Sequence, residues 1–159
     1  MSVARVRDFH EDDLDRVVRV WEESRAPERR AVYGLAEVLG ALGDEGVAVV
    51  VEVGEVVVGA AAASIASDRG WVVLLALAND WRGRGLGSVM LTELETRLMG
   101  RGVHRLSALL AEGETGVTAF RNCGYETRDL TYFERVVPLQ PQEVGLLGKL
   151  GGRMLPRGL

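Results

Sequence analysis

The hydrophobic and polar positions of the chain fall into three regimes: alternation, continuous apolar runs, and recurrence at helical spacing. Val3, Arg5 and Arg7 alternate with Ala4 and Val6, the period-two pattern of a short strand with one buried face. Asp12 and Asp13 then open a helix with apolar positions at Leu14, Val17, Val18 and Trp21. Pro27 interrupts it. A second helical pattern runs through Val32, Leu35, Val38, Leu39 and Leu42 and stops near Gly43. Two β-branched runs, Val47 to Val53 and Glu55 to Ala66, meet at Gly54 as a hairpin, and Asp68, Arg69 and Gly70 turn the chain into its central strand.

That strand opens the most informative stretch. Trp71 to Ala78 is a continuous apolar run, which suits a buried strand, and Asn79, Asp80 and Trp81 form a turn. Next comes the glycine-punctuated segment Arg82, Gly83, Arg84, Gly85, Leu86, Gly87, and then a helix with the stripe Met90, Leu91, Leu94 and Leu98. A Glu93 to Arg97 pair supports the helix and Gly100 ends it. Val103 to Ala111 reads as a further strand, parallel to the central one because a helix connects them. Gly116 to Asn122 reads as a short helix closed by Gly124, and Tyr125 to Val137 as one bent strand or two short ones.

A strand that feeds a helix through glycines suits a phosphate-bearing ligand. The first turn of a helix has unpaired N–H groups and a partial positive charge, and glycines let an anion approach that backbone. Arg82 and Arg84 add positive charge beside it. The alternative, a purely structural turn, explains two arginines and three alternate glycines less well. A P-loop does not fit, because the one lysine is Lys149, and a dinucleotide fingerprint fails at Ser88.

Arg82, Gly85 and Gly87 fill the Arg/Gln-x-x-Gly-x-Gly/Ala signature, and on these residues the chain resembles the GCN5-related N-acetyltransferases (GNAT). The resemblance implies an α/β fold with a mixed, mostly antiparallel sheet, whose splayed parallel central strands are flanked by helices. It implies acetyl-CoA as co-substrate. The backbone of Arg82, Gly83, Arg84, Gly85, Leu86, Gly87 and Ser88 would then cradle the pyrophosphate, while Leu75 and Leu77 pair with the pantetheine arm. The first two helices would roof the acceptor, with Trp21, Glu22, Glu23, Arg25 and Tyr33 as candidate contacts. The segment Ala119 to Tyr125 resembles the closing motif of the family, but Phe120 stands where members often carry an acid tyrosine, and Gly113 where they carry asparagine. Phe120 is accordingly expected beside the cofactor.

An alkylammonium with a pKa near 10.4 is neutral about once in several thousand molecules at pH 7, a deficit of between about four and five kcal/mol, so acyl transfer calls for a base or a water relay. Glu112, which faces the cleft in the family's geometry, is the expected base, and Tyr132 the expected acid. Glu52 and Asp68 are weaker alternatives to Glu112. Cys123, beside Gly124 at a helix end, reads as packing rather than as a nucleophile.

Composition narrows the rest. The 159 residues, 47% apolar, suit one globular domain with a sizeable core. A net charge of -4 and a pI near 5.3 disfavour nucleic acid and leave room for an amine substrate, a small molecule or a protein. One cysteine and two distant histidines give no disulfide and no metal-ligand spacing. No apolar run reaches the length of a membrane span and no signal-peptide core is present, so the expected location is cytoplasmic. The expected organisation is a transferase domain over 1–137 and an apolar, glycine-rich tail over 138–159. The tail offers a surface for docking or homodimer formation, and through Leu150 to Pro156 it resembles a linker to an ATPase domain of a longer protein. A non-catalytic acyl-CoA-binding module is the rival reading, and a nucleotide-binding module a third.

Overall fold

A computed structural model describes residues 2–25, 32–110 and 116–139. The chain divides into two compact units, Met1–Glu126 and Thr127–Leu159. Within the first, strands β1 (Ala4–Asp8), β2 (Gly46–Val53), β3 (Val56–Ala66), β4 (Arg69–Leu77) and β5 (Arg105–Ser107) form one sheet in sequence order. All neighbours are antiparallel except β4 and β5. Helices α1 (Leu14–Ser24) and α2 (Leu35–Leu42) pack on one face, and α3 (Leu86–Met99) and α4 (Val117–Asn122) on the other. No helix among the described residues is long and apolar enough to cross a membrane.

Alternation along the strands builds both cores. Val49 and Val51 of β2, with Ala61 and Ala63 of β3, meet Met90, Leu91, Leu94 and Leu98 of α3, while Val50, Ala60 and Ala62 meet Val17, Val20 and Val38 on the opposite face. The α3 stripe is fully buried, as its spacing predicts. On α1 the buried face is Val17, Val20 and Trp21, and Leu14 is partly exposed. On α2, Leu35 and Leu39 face out while Val38, Ala41 and Leu42 are buried. Short helices against a twisted sheet bury a narrow stripe, and the extra apolar positions fall outside it.

Arg7 anchors the start of the chain. Its guanidinium donates to both carboxylate oxygens of Asp13, at 2.8 and 2.9 Å, and to Glu52 at 2.9 Å, tying β1 to β2 and to the entry of α1. Asp13 also accepts the His10 N–H at 2.8 Å. The hydrogen bonds from Arg7 hold the Asp13 carboxyl below its ordinary pKa.

Three features depart from the sequence pattern. β4 starts at Arg69, because Ser67, at φ 57°, turns the chain earlier than expected. β5 is three residues long rather than the nine from Val103 to Ala111, and its pairing with β4 ends at Trp71 and Ser107. Tyr125 to Val137 forms no strand.

Candidate active site

The site begins where β4 loses its parallel partner. Beyond Trp71 the outer edge of β4 pairs with no described strand, so the backbone from Val72 to Leu77 borders a cleft of about 910 Å³. A bulge sharpens this opening. Ala62 and Ala63 oppose Leu74 and Val72, which leaves Val73 as the extra residue. Val73 and Leu74 therefore both join the core beneath α1 and α2, whereas Val72 joins that of α3.

At the far end of β4, a turn at Asn79–Trp81 leads into the glycine segment. Gly83 and Gly85 hold φ of 73° and 80°, a left-handed backbone that side chains oppose, and a Cβ at either would meet nothing within 4 Å. Space therefore lies over them. Gly85 caps α3, and Val89 is the first residue to donate back to it, at 3.3 Å. The N–H groups from Gly83 to Ser88 donate to no carbonyl among the described backbone, so they are available as a set. The start of α3 reinforces them with its dipole. A diphosphate fits such a cradle, and an extended amide-bearing arm fits the open edge of β4.

The structure brings Leu75, Leu77, Arg82, Gly83, Gly85, Leu86, Gly87, Ser88 and Phe120 to the wall of this one cleft. Arg82 is oriented by donating to the Leu77 carbonyl at 3.4 Å. Arg84 is not in the wall, and its guanidinium stacks 4.6 Å over the Trp81 ring. Phe120 is buried and meets Tyr125 edge to face at 4.9 Å. Burial, followed by the neighbouring Glu95 carboxylate, raises the Tyr125 pKa, which makes that hydroxyl a poor proton donor.

The family sequence pattern described as "Acetyltransferase (GNAT) family" matches residues 6–125. The chain belongs to that family. Among curated relatives, an acetyltransferase of Yersinia pestis (strain Pestoides F) is 28% identical over 127 residues, covering 78% of this chain and 89% of the relative. One of Pectobacterium atrosepticum is 26% identical over 136 residues, covering 83% and 95%. Among solved structures, the aminoglycoside N-acetyltransferase AAC(6')-Iy in complex with CoA superposes with a TM-score of 0.68 at 16% identity, over 86% of this chain and 96% of that one. The ribosomal-protein-S18-alanine N-acetyltransferase from Escherichia coli gives 0.66 at 16% identity, over 80% of each. These structural likenesses show the GNAT fold.

The remaining candidates divide. Glu112 lies outside the described residues, and Tyr132 belongs to the second unit, where its hydroxyl is 3.4 Å from Glu134. Glu52 is committed to Arg7. The Asp68 carbonyl accepts the N–H groups of His104 and Arg105, and neither Glu52 nor Asp68 lines the GNAT cleft. Among the described residues the one carboxylate in the cleft wall is Glu23, near Trp21, Arg25 and Tyr33. Cys123 is half-buried against the α3 core, its thiol 3.6 Å from the Ser88 carbonyl, and it is not in the wall. Sequence reasoning missed Leu109, Leu110, Thr118 and Asn122, which also line the cleft. They reach it through the splay of β5 and the placement of α4, which no local pattern encodes.

Proposed function

We propose that this chain is an acetyl-CoA-dependent N-acetyltransferase that passes the acetyl group directly to a primary amine, with no covalent enzyme intermediate. The observation that carries the reading is the meeting, in one cleft, of an amide cradle at Gly83 to Ser88 with the unpaired edge of β4. In the transfer a carbon–nitrogen bond forms as the carbon–sulfur bond of the thioester breaks. The amine gives up a proton and the departing thiolate gains one.

In this reading the cradle holds the pyrophosphate, Leu75 and Leu77 align the arm, and Phe120 closes the apolar wall beside it. Glu112 and Tyr132 stand as base and acid. The acceptor is a small-molecule or protein amine, and the names of the neighbours, an aminoglycoside acetyltransferase and a ribosomal-protein-alanine acetyltransferase, support that range. A cytoplasmic location, a transferase domain over 1–137 and a docking or dimer-forming tail over 138–159 belong to the same proposal.

Calorimetry with coenzyme A, and thiol release from acetyl-CoA against an amine panel, test it. Binding together with release by at least one amine is expected, and Glu112→Gln and Tyr132→Phe are expected to lower kcat without weakening cofactor binding. One observation favours a second reading: Phe120, in the acid position of the family motif, has no proton to give. Coenzyme A binding without thiol release against any amine would leave an acyl-CoA-binding module instead.

A further inference from the structure

A second cavity, of about 430 Å³, lies between α2 and the first half of β4. Three residues, Tyr33, Val73 and Leu109, belong to its wall and to that of the large cleft. The junction has a structural cause. Val73 is the bulged residue of β4, and Leu109 follows the point where β5 has already parted from β4. These three residues thus stand between two chambers, one on the cradle side and one on the α2 side, beside the point where the parallel strands have parted.

The smaller chamber is chemically distinct. Its body is apolar, built from Ile65, Trp71 and Val73, and Glu37 and Glu45 stand in its wall. No cationic side chain is present among its described lining residues, and neither carboxylate makes an ion pair with a described residue. Glu37 spends one oxygen on the Gly34 N–H at 2.9 Å, capping α2, and keeps the other. The Trp71 ring already has the Arg69 guanidinium 5.2 Å above it, so positive charge in a ligand would be met by the carboxylates rather than by the indole.

We infer that this chamber is the acceptor subsite and that it selects amines carrying a second positive charge across an apolar spacer. The reacting amine sits at the Tyr33, Val73 and Leu109 junction, the spacer against Ile65 and Trp71, and the distal ammonium beside Glu37 and Glu45. This inference rests on the transferase reading for the identity of the junction, but its test reads binding.

Calorimetry on the protein saturated with coenzyme A would compare linear diamines from putrescine to octamethylenediamine, each against the monoamine of equal length. At least one diamine is expected to bind roughly tenfold more tightly than its monoamine. The Glu37→Gln, Glu45→Gln double variant should erase that preference, and a Glu45→Gln single variant, which leaves the α2 cap intact, should reduce it. Monoamine and coenzyme A affinities should stay unchanged. The inference falls if no diamine outbinds its monoamine, or if the preference survives in the double variant. Diamine preference together with no thiol release from acetyl-CoA against any amine of the panel would overturn the transferase reading and leave a diamine-binding chamber in place of an acceptor subsite.

Discussion

Single residues decide whether the cradle exists. Gly85 keeps a left-handed backbone at φ 80° while the N–H groups after it, as far as Ser88, donate to no described backbone carbonyl, so Gly85→Val forces strain of about 1–2 kcal/mol into the loop that must stay in place. Coenzyme A affinity is expected to fall roughly tenfold by calorimetry, with the circular dichroism spectrum retained. Phe120→Tyr is expected to leave coenzyme A affinity unchanged, because the ring already fills the wall and Tyr125 packs its edge. A large gain in affinity would contradict this placement. Asp13 makes a different kind of prediction. Its folded-state pKa lies below the unfolded value, so its stabilisation is fully present above the unfolded pKa and disappears as the pH falls through the folded one. Acid unfolding followed by fluorescence should shift to higher pH in Asp13→Asn, which also loses about 2 kcal/mol at neutral pH through its charged hydrogen bonds to Arg7.

Whole elements were legible wherever a face is wide and its period regular. The α3 stripe could be read from spacing alone, and Leu94→Ala, which empties a fully buried position, should cost about 2–5 kcal/mol in chemical denaturation. The β4 strand was legible as an element but not in its detail. Val72, Val73, Leu74 and Leu75 are all apolar, so the bulge at Val73 breaks no visible alternation. The shortness of β5 was hidden in the same way, because the apolar residues after Ser107 line a cavity instead of a ladder. Arg84 shows the converse limit: charge near a cradle reads as a ligand contact, yet here the side chain stacks on Trp81.

For the molecule as a whole, the signature of a few glycines and one arginine implied the architecture through the family that it resembles; spacing alone predicts the strand, the glycine turn and the helix around it. The outline of the acceptor chamber was not legible, since its walls come from α2, β3, β4 and the stretch after β5, remote in sequence and joined by the sheet. Binding at the cleft should couple to stability, with coenzyme A at a hundredfold its Kd adding about 2.7 kcal/mol, read as a rise in Tm. A flat melting profile would mean that the cleft does not take the cofactor.

Beyond Trp71 the outer edge of β4 pairs with no described strand. Bare peptide groups in extended conformation are a template for any passing strand, from a sister molecule as readily as from a ligand. Concentrated protein without the cofactor is therefore expected to self-associate through this edge, and adding coenzyme A is expected to return it to dispersed particles in light scattering; scattering that does not change with coenzyme A would mean that the edge is closed to other strands.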